Sequence, residues 1–95
     1  MNTITIISKN ICFLCGDLRK FINELPQRYK DNIEILDERT HTLVELHNML
    51  ESLHQYSFPT IILKEDGQDV RTITGFTTRT ENIIIDHLNK NYAIS

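Results

Sequence analysis

Two cysteines are the residues whose type and spacing best suit this sequence to chemistry. Cys12 and Cys15 are the only cysteines among 95 residues, and two residues separate them. A single pair is too small for a disulfide framework. In a reducing compartment, two cysteines so spaced are typical of a redox centre or of half a metal site.

The position of Cys12 predicts that its sulfur is ionised. A strand is predicted over residues 3–7 and a helix from Leu14, so Cys12 lies where the helix begins. Free amides and the positive end of the helix dipole favour a thiolate there. An ordinary thiol with a pKa of ~8.5 is only about 3% ionised at pH 7. Since the thiolate is the nucleophile, this effect decides whether exchange is fast.

The helical wheel assigns different roles to the two sulfurs. Cys12 lies about 135° from the centre of the apolar face, and Cys15 lies about 75° from it. We therefore predict that Cys12 is the exposed attacking sulfur and Cys15 the sheltered resolving one. Residues three apart on a helix have Cα atoms roughly 5 Å apart, within the disulfide range of roughly 4.4–6.8 Å.

Two other interpretations of the cysteines stay open from the residues alone. Both could be small buried hydrophobes at a helix start, or they could be half of a zinc site. His47 and His54 are about 10 Å apart along a helix, too far to share one zinc by themselves. His41 and His87 lie in other elements without ligand-like spacing. We expect solvated histidines and no metal site.

The remaining hydrophobic pattern predicts the element order β-α-β-α-β-β-α. Strands are predicted over 3–7, 33–36, 60–63 and 70–74. The first helix is predicted from Leu14 to Pro26, and the second from the capping box at Thr42 to His54. A second capping box, Thr78–Glu81, opens the last helix, whose inward residues are predicted to be Ile84, Ile85, Leu88 and Tyr92. Asp66-Gly67 predicts a hairpin between the last two strands. This order requires a mixed four-stranded sheet with helices on both faces. We predict an α/β, thioredoxin-like fold in one domain, 1–95.

Composition excludes several classes of function. The chain is 40% hydrophobic and 24% charged, an ordinary globular mixture, with a net charge of −3. Nucleic-acid binders normally carry a basic excess, so we expect none here. No apolar run approaches the ~20 residues that span a bilayer, and no secretory signal is apparent. We expect a cytoplasmic monomer that contacts no membrane.

Several motifs resemble those of the glutaredoxin family within the thioredoxin superfamily. The segment Ser8-Lys9-Asn10-Ile11-Cys12-Phe13-Leu14-Cys15 is similar to the family's Ser-Lys-x-x-Cys-Pro-Tyr-Cys; Ile35-Leu36-Asp37 resembles the end of its second strand, and Thr74-Gly75-Phe76-Thr77-Thr78 occupies the place of its Gly-Gly-x-Asp segment. Pro59 precedes the third strand, where the family has a cis-proline. From the residues alone a trans bond is expected, since only ~5–6% of X-Pro bonds are cis.

The resemblance implies roles for individual residues. Cys12 attacks a disulfide, and Cys15 resolves the mixed disulfide. Lys9 assists the thiolate and binds the glycyl carboxylate of glutathione; the alternative is a solvated loop lysine. The Phe58 backbone, next to Pro59, pairs with the substrate.

The resemblance also assigns the segment before the last helix to glutathione. Gly75 lets the backbone approach the ligand, and amides near Thr77 and Thr78 meet the γ-glutamyl carboxylate. The alternatives are that Gly75 only ends a strand and that Thr78 only caps a helix. Phe13 and Phe76 complete the predicted substrate-binding set. No tightly bound cofactor is implied, and glutathione is the expected reductant or substrate.

Departures from the family pattern leave three functions open. Phe13 and Leu14 replace the usual Pro and Tyr, and Thr74 replaces the first Gly. Thr74-Gly75-Phe76 resembles the Ser-Gly-Phe of glutaredoxin-like hydrogen donors to ribonucleotide reductase. The leading function is a dithiol–disulfide oxidoreductase acting on protein or glutathione mixed disulfides. The alternatives are a hydrogen donor driven by a thioredoxin-type reductase, and a non-catalytic module binding zinc, an iron–sulfur cluster or a protein.

Overall fold

A four-stranded sheet with helices on both faces organises the chain. The computed structural model describes residues 1–93, so the last two residues of the predicted domain lie outside the described residues. The strands are β1 (Asn2–Ile7), β2 (Ile33–Leu36), β3 (Thr60–Glu65) and β4 (Gln68–Thr74); the helices are α1 (Phe13–Asn23), α2 (Gln27–Lys30), α3 (Leu43–Ser52) and α4 (Thr78–Asn89), with a 3₁₀ helix at Lys90–Tyr92. The predicted α/β order is confirmed, with the short helix α2 added after Pro26.

The sheet is mixed and has the strand order β2-β1-β3-β4. β1 runs parallel to β2 and antiparallel to β3, and β3 is antiparallel to β4. Asp66 and Gly67 join β3 to β4 with φ angles of 52° and 82°. A two-residue hairpin turn with positive φ at both positions matches the twist of its strands, so the predicted hairpin is confirmed.

Alternate residues of the two central strands face two hydrophobic clusters. Ile4, Ile6, Ile61 and Leu63 pack with Leu18 and Ile22 of α1 and with Ile84 and Leu88 of α4; Ile7 and Ile62 pack with Leu46 and Leu50 of α3. Successive side chains of a strand point to opposite faces, which explains the division. Consequently α1 and α4 cover one face of the sheet, and α3 covers the other.

Helix α1 buries most of the apolar stripe predicted for it. Leu18 and Ile22 are buried, and Phe21 and Leu25 pack at the edge of the same cluster. Leu14, at the start of the stripe, is 38% exposed. Within residues 1–93, no helix combines the length and the apolar character that crossing a membrane requires.

The start of α4 lies one residue earlier than the capping pattern predicts. Thr77, not Thr78, is the N-cap: its hydroxyl accepts a hydrogen bond from the Thr80 backbone, and the Thr80 hydroxyl accepts one from the Thr77 backbone. Two adjacent threonines present the same signature, and a threonine three residues after the first replaces the expected glutamate. The predicted box from Thr78 to Glu81 is therefore wrong by one residue.

The exposure of two residues, one in α4 and one in the 3₁₀ helix after it, differs from the prediction. His87 was expected in solvent but is buried, with Nε2 3.0 Å from the carbonyl oxygens of Thr3 and Lys64. One ring N–H shared between two strand carbonyls stabilises this polar group in the core. Tyr92 was expected inward but is 42% exposed, because it lies in the 3₁₀ helix, out of phase with α4.

Candidate active site

The sulfur of Cys12 caps helix α1. Cys12 has an extended backbone, with φ −162° and ψ 113°, and its Sγ accepts a hydrogen bond from the Cys15 N–H at 3.2 Å. A serine or threonine oxygen commonly occupies this position at the start of a helix. The first turn of α1, which lies wholly within the described residues, carries no acidic side chain. The helix N-terminus therefore offers this sulfur an amide donor and the positive end of the dipole.

Cys12 and Cys15 form a disulfide. Their Cα atoms are 5.2 Å apart, in agreement with the separation that the helical spacing predicts. Helix α1 begins between the two residues, at Phe13, so the pair closes without disrupting the helix.

The two sulfurs differ in accessibility. Cys15, in the first turn of α1, is fully buried, whereas Cys12 is partly exposed. This is the asymmetry that the helical wheel predicts for an attacking and a resolving cysteine. Exposed apolar residues flank the accessible sulfur: Ile11 is 91% exposed and Phe13 is 84% exposed.

Lys9 and Phe58, both predicted site residues, lie in contact. The Lys9 Nζ is 5.1 Å from the centroid of the Phe58 ring, within the range of a cation–π interaction. The ring of His47, from α3, meets the same phenyl ring edge-on at 5.1 Å. The sequence did not single out His47 for this position, because only the fold brings α3 beside the segment before β3.

The peptide bond between Phe58 and Pro59 is cis, as the family resemblance implies and against the expectation from the residues alone. Pro59 is buried, and its carbonyl accepts a hydrogen bond from Gly75 N–H at 2.9 Å. Within residues 1–93, the N–H and C=O of Phe58 make no hydrogen bond to another backbone group. Both backbone groups of Phe58 are therefore without a backbone partner in this part of the chain.

The segment from Gly75 to Thr78 joins β4 to α4. Gly75 has φ +88°, a left-handed conformation that L side chains rarely adopt, while the space where a Cβ would lie is open. Backbone geometry, not crowding, thus requires glycine there. Phe76 packs against Phe21 of α1, with ring centroids 5.6 Å apart. Thr77 and Thr78 are exposed at the start of α4, and the Thr77 hydroxyl is engaged in the cap.

A buried carboxylate that the sequence did not mark as functional organises the loop after β2. Asp37 accepts hydrogen bonds from the Arg39 side chain, with Nη2 2.9 Å from Oδ2, and from the Arg39 backbone N–H. The Arg39 guanidinium lowers the pKa of this carboxyl below its ordinary value, against the opposing effect of burial. The next residue, Glu38, accepts a hydrogen bond from Asn10 N–H at 2.9 Å, which ties this loop to the segment before Cys12.

The described residues offer the cysteines no further metal ligands. Among residues 1–93, no three His, Cys, Asp or Glu side chains come together as a group that could hold a metal ion. Zinc in a structural site takes four such ligands.

Sequence and structure comparisons give different kinds of result. No protein-family model matches the sequence, and no curated protein matches it. Among solved structures, the oxidized mitochondrial thioredoxin 3 of Saccharomyces cerevisiae is 21% identical, with a TM-score of 0.66 over 90% of this chain and 77% of that one. Fasciola hepatica thioredoxin is 15% identical, with a TM-score of 0.67 over 90% and 80%. Plasmodium falciparum thioredoxin is 20% identical, with a TM-score of 0.64 over 96% and 85%. This chain has the thioredoxin fold.

Proposed function

We propose that this protein is a dithiol–disulfide oxidoreductase of glutaredoxin type. The observation that carries the proposal is the partly exposed Cys12, whose sulfur caps α1 and is bonded to the sulfur of the buried Cys15. A buried structural disulfide would not need one sulfur in solvent at a helix N-terminus. Both features suit a sulfur that must ionise and meet a second disulfide.

The reaction consumes the reduced form of the pair. The Cys12 thiolate attacks one sulfur of a substrate disulfide, that S–S bond breaks, and the leaving thiolate takes a proton from solvent. The Cys15 sulfur, having lost its proton to solvent, then attacks the Cys12 sulfur. The second half of the substrate departs as a thiolate and takes a proton from solvent, and the Cys12–Cys15 disulfide forms. Two electrons pass from the protein to the substrate, which is the balance of any dithiol–disulfide exchange.

The helix start supplies the electrostatic help that this reaction needs. In the reduced protein, the Cys15 N–H that now contacts Cys12 Sγ can donate to the thiolate instead. Hydrogen bonds to an ionised acceptor are stronger than those to a neutral one. The capping bond therefore favours the ionised form of Cys12 over the thiol.

Glutathione is the reductant, or the substrate group, that we propose. Lys9 bears a cation three residues before Cys12, and Thr77 and Thr78 at the start of α4 are exposed. Among residues 1–93, the Phe58 backbone has no backbone partner. These features support a ligand with a carboxylate at each end and a peptide backbone between. Gly75, whose N–H donates to the Pro59 carbonyl, allows the turn that leads from the end of β4 to the start of α4.

A second candidate is a hydrogen donor that a thioredoxin-type reductase reduces. Ile11 and Phe13 support it, because exposed apolar side chains beside a reactive sulfur suit contact with a protein surface. Both candidates use the same cysteines, act on disulfide-containing proteins and need no resident cofactor. They differ only in the electron source.

Steady-state turnover separates the two electron sources. We propose measuring NADPH oxidation with a small disulfide as acceptor, once with glutathione and glutathione reductase and once with thioredoxin reductase. The glutaredoxin-type proposal predicts turnover with glutathione and glutathione reductase. The Cys12→Ser variant should show no turnover in that system. Turnover only with thioredoxin reductase overturns glutathione use in favour of the second candidate. No turnover in either system, with Cys12 unreactive, overturns the oxidoreductase proposal itself.

A further inference from the structure

The sheet register places Lys9 opposite Phe58. Ile7 pairs with Thr60 at the last rung of the antiparallel ladder between β1 and β3. Two residues beyond that rung on each chain segment stand Lys9 and Phe58. Their side chains meet, with Nζ 5.1 Å from the ring centroid. The contact therefore lies directly beyond the end of the ladder between the two central strands.

The Phe58 ring is the fixed member of this pair. It packs against the cluster formed by Ile7, Leu46, Leu50 and Ile62, and the His47 ring meets its edge at 90°. The lysine side chain is a flexible four-carbon stem with a compact charge. An anchored ring can thus restrict the positions of the ammonium group, whereas the lysine cannot order the ring.

The charge of Lys9 is not neutralised within the described chain. The ion pairs among residues 1–93 join Met1 to Asp66, Arg39 to Asp37, and Lys64 to Asp69, and none includes Lys9. A cation held over an aromatic face keeps its charge and its N–H donors for another partner. Lys9 lies three residues before Cys12 in the sequence, so this free charge stands on the segment that leads to the reactive sulfur.

We propose that Phe58 is a positioning residue: its ring holds the Lys9 ammonium where a carboxylate on the substrate meets it, so the protein prefers disulfides that carry a carboxylate near the sulfur. This inference rests on the proposed oxidoreductase function and adds to it a residue that positions Lys9. The backbone of Phe58 and its side chain then have separate tasks. The backbone pairs with the substrate chain, and the ring selects charge through Lys9.

Single turnovers of the reduced protein test the inference without an added reductant. Each turnover converts the dithiol to the Cys12–Cys15 disulfide and one acceptor disulfide to two thiols. The acceptors are dithiodiacetate and its uncharged bis-amide, and the measured quantity is the ratio of their second-order rate constants. Wild-type protein is expected to favour the anion. Phe58→Leu is expected to lower the ratio about 2- to 5-fold, the range for an exposed cation–π contact.

Variants distinguish a positioning role from a structural one. Phe58→Tyr keeps the aromatic face and restores the ratio. In a Lys9→Gln background, Phe58→Leu should not lower the ratio further. Tyr56→Leu is the matched control, since it removes an 80% exposed ring two residues away and should leave the ratio unchanged. Equal losses on both acceptors in Phe58→Leu, or a further fall in the Lys9→Gln background, would overturn the inference.

A spectroscopic measurement tests the contact independently of turnover. The ring current of Phe58 should shift the ε-methylene proton resonances of Lys9 upfield in the wild type, and Phe58→Leu should return them to ordinary lysine values. Unshifted resonances in the wild type overturn the positioning role even if the protein is active. Absence of turnover on both acceptors in every form, with the shift present, instead overturns the oxidoreductase function on which the substrate class depends.

Discussion

The Sγ of Cys12 accepts a hydrogen bond from the Cys15 backbone N–H at 3.2 Å. Threonine hydroxyls make the equivalent bond at Thr42 in α3 and at Thr77 in α4. A sulfur thus does at the start of α1 what an oxygen does at the starts of α3 and α4. The same bond that begins the helix also presents an amide to the atom that we propose as nucleophile, so folding of α1 and reactivity of Cys12 are linked.

Replacing the resolving cysteine should trap the intermediate. In Cys15→Ser, the Cys12 sulfur can still attack a disulfide but no buried thiol remains to release the product. We expect a stable mixed disulfide, visible as a mass increase equal to one half of the acceptor, and loss of the dithiol pathway. Cys12→Ser is the control and should form no adduct. Adduct formation on Cys15 in that control would contradict the assigned roles.

Adding a methyl group at two glycines should have opposite effects on stability. Gly75→Ala is expected to destabilise the protein by about 1–2 kcal/mol, because residue 75 has φ +88°. Gly16→Ala is the matched control: it lies in α1 with open space around it, and should stabilise the protein by about 0.5–1 kcal/mol. Urea unfolding of the oxidised forms measures both. Equal effects at the two positions would refute the assigned backbone requirement.

The start of α4 can be located by substitution. Thr77→Ala should cost about 1 kcal/mol of unfolding free energy, since it removes the hydroxyl that accepts from Thr80 N–H. Thr78→Ala, one residue inside the helix, should have little effect. A larger loss of unfolding free energy in Thr78→Ala than in Thr77→Ala would show that Thr78 is the N-cap, as the sequence pattern predicts.

The buried Asp37 should make stability depend on pH. Arg39 lowers its pKa in the folded state, so the ionised carboxylate stabilises the fold above the unfolded-state pKa of ~3.9. That contribution should be lost as pH falls through the lower, folded-state value. Urea unfolding from pH 7 to pH 2 should therefore show Arg39→Gln less stable than wild type at neutral pH, with the difference shrinking in acid.

Arg71→Gln provides the control for this pH series. Arg71 is exposed on β4, and none of the ion pairs among residues 1–93 includes it. Its substitution should not change the pH dependence of stability. A difference between Arg39→Gln and wild type that stays constant down to pH 2 would show that Arg39 does not act through the charge of Asp37.

The elements of the fold could be predicted because their patterns are local. The β-branched run before Ile7, the turn at Asp66-Gly67 and the capping box at Thr42 each depend on residues a few positions apart. The cysteine spacing is equally local, and it was sufficient to predict the Cα separation and the difference in exposure between Cys12 and Cys15. Such features are readable before the topology is known.

Contacts between distant segments could not be predicted in this way. The meeting of Lys9 with Phe58 depends on the register between β1 and β3, which no single segment encodes. From the helical pattern, the polar side chain of His87 is expected in solvent. Only the assembled sheet supplies the two carbonyl oxygens, of Thr3 and Lys64, to which its ring is hydrogen-bonded. The cap of α4 failed for a different reason, because adjacent threonines give one pattern at two positions.

Alkylation of the reduced protein across pH tests the central claim most directly. Iodoacetamide labelling, with each modified cysteine identified by mass spectrometry, gives the ionisation of the two thiols separately. The account predicts that Cys12 is modified first and that its rate reaches half-maximum at a pH below the ordinary thiol pKa of ~8.5. Faster labelling of Cys15, or a Cys12 profile with its midpoint at that ordinary value, would contradict the account.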